Sequence, residues 1–240
     1  MNALYSIAIS ARYIRAAAIF TAIFAVGCSA LPEQPARPLL YDFGPGVVPA
    51  TATPPATTLP AIALADVDGA GSADTSTAVL YRLAYADVRQ RLPYQLARWS
   101  LPPAQLVEQD LRAQLGQRRA VLRTEDGLAA ARSANTANTA NSDGVAGLSG
   151  LGGSQPDVLR VRLEEFSQVF TSAHDSVGLI RLRATLTEPT AMGEKLHGQR
   201  LFVVQQPARS ADAAGGTRAL AEASAQVAQQ LAQWLEQMGR

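Results

Sequence analysis

The side chains of this chain that could do chemistry are few. There is one cysteine, Cys28, so no intramolecular disulfide, Cys-x-x-Cys redox pair or cysteine zinc cluster can form. The two histidines, His174 in Thr171-Ser-Ala-His-Asp-Ser176 and His197 in Gly193-Glu-Lys-Leu-His-Gly198, fall in turn-like stretches and read as exposed hairpin residues. A metal site needs further ligands converging at a recognisable spacing, and two isolated histidines supply none, so no metal and no cofactor is expected. Glu164 and Glu165 are adjacent. On a strand, neighbours point to opposite faces, so adjacency alone does not make a glycosidase-type acid/base pair. The chain has no Gly-x-Ser-x-Gly elbow, and the run Gly147-Leu-Ser-Gly-Leu-Gly-Gly-Ser154 lacks the flanking strand, helix start and Lys-Ser/Thr pair of a phosphate loop. An enzyme is therefore not expected. With 21 basic against 20 acidic residues the formal charge is +1, and nothing in that balance calls for nucleic acid.

Cys28 suggests a different chemistry because of what precedes it. Arg12 and Arg15 form a positive region, followed by twelve uncharged residues from Ala16 to Gly27. A membrane-spanning helix needs about 20 apolar residues, so this run is read as a cleaved signal peptide over residues 1–27. Ala25-Val26-Gly27-Cys28 resembles a lipobox, with Ala25 where leucine is usual. The reading predicts acylation of the Cys28 thiol and anchoring through its acyl chains, each buried methylene contributing about 0.8 kcal/mol. Ser29-Ala30 follow the cysteine rather than an aspartate, which favours the periplasmic face of the outer membrane over the inner membrane.

Beyond this anchor, residues 28–38 carry three prolines and suit an extended tether. Residues 39–240 are read as a single domain. A proline-rich connector runs from Pro45 to Pro60, and residues 125–156 are mostly Ala, Asn, Thr, Ser and Gly. So few large side chains cannot offset about 1 to 2 kcal/mol of ordering entropy per residue, so that segment is expected to be a disordered insertion.

Between the breaks, periodicity predicts short strands at 39–43, 61–67 and 77–84, then a helix over 100–115 capped by Ser100, with Val107, Leu111 and Leu115 on its apolar face. Strict alternation at Leu159, Val161 and Leu163, and again at Ile180, Leu182, Ala184 and Leu186, predicts strands with one dry and one wet face. Residues 199–205 add a strand. The chain closes on a helix from Thr217 to Met238, whose apolar positions recur in steps of three and four. The order predicts an α+β fold, a mainly antiparallel sheet with two amphipathic helices on one face.

The stretch Val79-Leu-Tyr-Arg-Leu-Ala-Tyr-Ala-Asp87, leading into Tyr94-Gln-Leu-Ala-Arg-Trp-Ser-Leu-Pro-Pro-Ala-Gln-Leu106, resembles the ABC-type transport auxiliary lipoproteins, the PqiC-like family associated with MCE-domain lipid transport. In that family a strand leads to a Tyr-x-x-x-x-Trp segment ahead of the first amphipathic helix; Tyr94, Arg98 and Trp99 match it. The long low-complexity insertion departs from the pattern. The resemblance implies a non-catalytic component, lipid-anchored in the outer membrane, that docks to an MCE-domain protein and its ABC permease and ATPase, and it leaves room for self-association. Tyr85, Tyr94, Arg98 and Trp99 are the expected partner-binding residues, because Trp, Tyr and Arg dominate interface energetics. A structural or assembly-chaperone lipoprotein of the outer membrane is the alternative.

Overall fold

The structure, a computed structural model, describes residues 36–45, 59–69, 75–124 and 155–240. Cys28, the signal peptide, most of the tether and nearly all of the 125–156 insertion lie outside the described residues.

The architecture rests on three long strands. In chain order the elements are β1 (Leu39–Tyr41), β2 (Ile62–Leu64), β3 (Asp68–Gly69), β4 (Ala78–Leu83), β5 (Asp87–Trp99), α1 (Pro103–Gly116), β6 (Val121–Arg123), β7 (Asp157–Phe170), β8 (Ser176–Thr190), β9 (Gly193–Pro207) and α2 (Ala213–Gln237). β7, β8 and β9 form an antiparallel meander. The other edge of β7 is shared by three short strands, all parallel to it: β2 against its start, β3 against its middle and β4 against its end. β6 extends the sheet beyond β2, while β5 and then β1 extend it beyond β4. The fold class is as the sequence predicts: α+β, mostly antiparallel with parallel additions, and two helices on one face.

The core lies between sheet and helices. On β8, Ile180, Leu182, Ala184 and Leu186 are fully buried, facing Leu220, Val227 and Leu231 of α2, also fully buried. Burying one such leucine contributes about 2 kcal/mol. Gly178 lets α2 approach: a Cβ there would stand 2.7 Å from the backbone of Ala219. Val107, Leu111 and Leu115 of α1 are buried as their spacing predicts.

Three local expectations are corrected and one strand is added. The first helix starts at Pro103 with Pro102 as its N-cap, and no side chain caps it. Two consecutive prolines preset φ for the first turn and need no amide partner there, whereas the Ser100 amide is used by the Tyr41 carbonyl at 2.7 Å. α2 starts four residues before Thr217, at Ala213, because Asp212 caps it by accepting from the Gly215 amide at 2.8 Å. The cap holds the Asp212 carboxyl below its usual range, chiefly through the Gly215 amide. Residues 87–99, which carry no clear period, form the 13-residue strand β5. His197 is not in a turn but in β9, at a bulge where Thr187 faces Leu196 and Leu186 faces Gly198. Its side chain is only 13% exposed, 3.0 Å from Glu188 and close to Asp157 and Arg240.

A second bulge changes the reading of the two glutamates. Leu163 pairs with Leu182, but Glu165 pairs with Arg181, so Glu164 is the extra residue. The parity of β7 flips there: Leu159, Val161 and Leu163 face the helices before it, and Phe166, Gln168 and Phe170 after it. Glu164 and Glu165 consequently both reach groups on the sheet's outer face, instead of pointing to opposite sides.

Candidate functional site

The hairpin β4–β5 and the edge strand β1 carry all four residues expected to bind a partner. The structure separates them by depth. Trp99, the last residue of β5, pairs with Tyr41 and is 1% exposed. Its ring meets Phe43 and Phe166 edge-on, with centroids 5.6 and 5.5 Å away. Trp99 is a core anchor, and its indole N–H finds no acceptor among the described residues.

Tyr94 also turns inward. Its hydroxyl donates to Gln168 Oε1 at 2.8 Å, and its ring packs at a tilt against Tyr81 with centroids 4.7 Å apart. Burial first, then the neighbouring Tyr81, pushes the Tyr94 phenol above its usual pKa, so it stays a neutral donor. The fully buried Gln168 passes the chain on, its Nε2 donating to Ser176 Oγ at 2.8 Å. Gly216, in the first turn of α2, leaves room for this amide: a Cβ there would lie 2.0 Å from Gln168 Oε1. Tyr94, Gln168 and Ser176 thus form a satisfied buried network joining β5, β7 and β8.

Arg98 and Tyr85 remain toward solvent. Ala97 and Trp99 are buried, and Arg98 between them projects from the opposite side of β5; Leu96 is exposed where the register with β4 breaks, between Pro93 and Arg98. The Arg98 guanidinium donates to the carbonyls of Tyr94 and Ala97 at 2.6 and 2.8 Å, which fixes it flat along its own strand. Register places Leu40 of β1 beside Arg98. Leu40, 72% exposed, thus stands beside a half-buried guanidinium, and Leu96, two residues along β5, is 51% exposed. Tyr85 and Val88, both about half exposed, stand at the β4–β5 turn. Sequence reasoning missed Leu40 and Leu96. The signal was there for Leu40, since period two along Leu39–Tyr41 puts it on the side away from Tyr41.

The hairpin is held by a buried ion pair the sequence did not suggest. Arg82 grips Glu165 with two hydrogen bonds, at 2.7 and 3.2 Å, and its third nitrogen donates to the carbonyls of Val88 and Arg89. Burial pushes the Glu165 carboxyl up, but the hydrogen bonds from Arg82 and Ser167, with the charges of Arg82 and Arg91, outweigh it and hold it below the usual range. Glu164 is engaged separately by Arg183 at 2.8 Å and Arg181 at 3.3 Å. Each carboxylate has its own arginines, so the two are not poised to share a proton. His174 is exposed in the β7–β8 turn, as the sequence suggests, with its amide accepted by Ser172 Oγ. Among the described residues no group of three His, Cys, Asp or Glu converges to hold a metal.

This surface exposes two leucines, a tyrosine and a guanidinium held by backbone carbonyls. Comparison with known proteins defines the fold. No family model matches the chain, and no curated protein matches it. The chain is similar to the crystal structure of a Xanthomonas campestris protein of the family designated DUF330, with 20% identity and a TM-score of 0.58 over 84% of this chain and 96% of that one. It is also similar to an uncharacterized protein of known crystal structure, at 14% identity and a TM-score of 0.51, over 83% of this chain and 99% of that one. At these identities the likeness shows a shared α+β fold. No helix among the described residues is long and apolar enough to cross a membrane.

Proposed function

We propose that this chain is a non-catalytic docking subunit, tethered to the periplasmic face of the outer membrane by lipid on Cys28, that joins an MCE-domain protein and its ABC permease and ATPase in lipid transport. The observation that carries the reading is the coincidence of two features on one segment. Residues 94–106 bear the resemblance to the auxiliary lipoproteins, and the same strand presents Arg98 beside the exposed Leu40, with Leu96 exposed two residues away. Exposed leucines next to a pre-positioned arginine make a small recognition patch, with the apolar side chains supplying area and the guanidinium supplying direction. Of the residues first expected to bind, Tyr85 and Arg98 belong to this surface. Tyr94 and Trp99 act beneath it as supports.

The test is affinity capture of the tagged full-length protein from solubilised envelopes, followed by mass spectrometry of what accompanies it. An MCE-domain protein and its permease are the expected companions. Recovery of only β-barrel or other outer-membrane assembly proteins would overturn the transport reading. Cys28→Ser should release the protein from membranes with its fold unchanged.

A further inference from the structure

The opposite edge of the sheet carries a second surface. β9 pairs only with β8 among the described residues, and it is 15 residues long. Long open edges are templates for another strand, and proteins usually blunt them with proline, charge or a bulge. On β9 these devices sit at the ends: Glu194, Lys195 and the His197 bulge at one, Pro207 at the other. The segment between, Gly198–Gln206, has one charge, Arg200, which lies over the Phe202 ring on the helix-covered side.

The outer face of that segment reads Gln199, Leu201, Val203, Gln205, with Leu201 43% and Val203 50% exposed. The pattern is close to a palindrome about Phe202. From it we infer that β9 pairs antiparallel with β9 of a second copy, centred on Phe202, and so continues the sheet across a two-fold axis. In this register Leu201 of one copy faces Val203 of the other, Gln199 faces Gln205, and Arg200 faces Val204. Apolar groups meet apolar groups, amides meet amides, and no two charges are opposed within the segment. A two-residue shift sets Leu201 or Val203 against glutamine. A one-residue slip sets the dry side against the wet side.

The helices permit the arrangement. α2 lies over β8 and β9, and strands are spaced about 4.8 Å apart. The two copies of α2 would therefore run on the same face with axes roughly 10 to 15 Å apart, at or beyond the usual packing distance. Because each copy has one such edge, the assembly closes at a dimer. The inference does not depend on the transport reading, since it uses neither Cys28 nor the β1–β5 surface.

The experiment uses the full-length chain in detergent, its mass followed by sedimentation equilibrium. The wild type is expected to dimerise. Leu201→Glu and Val203→Lys, each measured alone, should weaken the dimer by more than about tenfold. An equimolar mixture of the two variants should recover it, because the register sets the introduced carboxylate of one copy against the introduced ammonium of the other and leaves the second contact as in the wild type. Met192→Arg, at the β8–β9 turn and fully exposed, serves as the control and should leave the dimer intact. Thermal melts of all variants, taken at concentrations low enough to dissociate the dimer, should match the wild type, since both positions face solvent in the monomer. A monomeric wild type, a dimer unaffected by either charge, or a mixture no better than its components would each overturn the inference.

Discussion

β8 and β5 are neighbours in size, at 15 and 13 residues, and opposites in how they are held. β8 sits in the middle of the meander, paired on both edges, and one of its faces is sealed by α2. Its side chains alternate between fully buried aliphatics and wet arginines. β5 has β4 on one side and three residues of β1 on the other, and its register with β4 slips twice. Its first five residues are exposed on both faces; only Ala97 and Trp99 are fully buried. Burial dictates sequence in the first strand, and surface recognition is free to shape the second. The partner patch proposed above lies on β5, at positions where substitution does not empty the core.

Substitutions can break this contrast, and the largest effect is expected at its shared foundation. Leu182→Ala on β8 should cost about 2 to 5 kcal/mol in chemical denaturation, and Trp99→Ala about 3 to 5 kcal/mol. A comparable loss at Trp99 would mark it as a core residue of β5, and any accompanying loss of partner binding would follow from unfolding. If Trp99→Ala melted like the wild type, the burial of Trp99 against Phe43 and Phe166 would be disproved.

The ion pair beneath the hairpin comes next. Glu165→Gln leaves the Arg82 charge without its partner and should cost about 2 kcal/mol near neutral pH. The Glu165 carboxyl is held below its ordinary value in the folded protein, so the unfolded chain binds its proton more readily and stability rises with pH. That contribution is complete above the ordinary carboxylate pKa of about 4.3 and is lost as pH falls through the lowered folded value. Melts taken down a pH series should therefore show an acid-side decline in the wild type that is shallower in Glu165→Gln.

A smaller effect is expected at Tyr94. Tyr94→Phe removes one hydrogen bond to Gln168 and should cost about 1 kcal/mol, read as a shifted denaturation midpoint with an unchanged slope. Leu96→Glu, on the wet side of the same strand, should stay within about 0.5 kcal/mol of the wild type.

The same contrast explains what could be read in advance. The alternation of β8, the start of β7 and the apolar stripe of the closing helix were visible because each buries one face, and burial imposes a period. β5 was hidden because Pro93, Arg89, Gln90 and Arg91 give no period, and its strand character comes from pairing with β4. The bulge at Glu164 could not be seen either: the parity flip between Leu163 and Phe166 is written in the sequence, but only the register with β8 shows which residue is extra. Among the expected partner-binding residues, residue type could not separate Trp99, which anchors the core, from Arg98, which faces out beside it. Leu40 and Leu96 acquire meaning only once β1 is laid against β5.

We propose that a transport partner docks on the outer face of β1 and β5. The most direct test is capture from solubilised envelopes with full-length wild type beside Leu96→Glu and Arg98→Glu, all three checked for equal thermal stability. The wild type is expected to bring down an MCE-domain protein, and both variants to lose it while remaining folded and membrane-bound. Undiminished capture by both variants would contradict the claim.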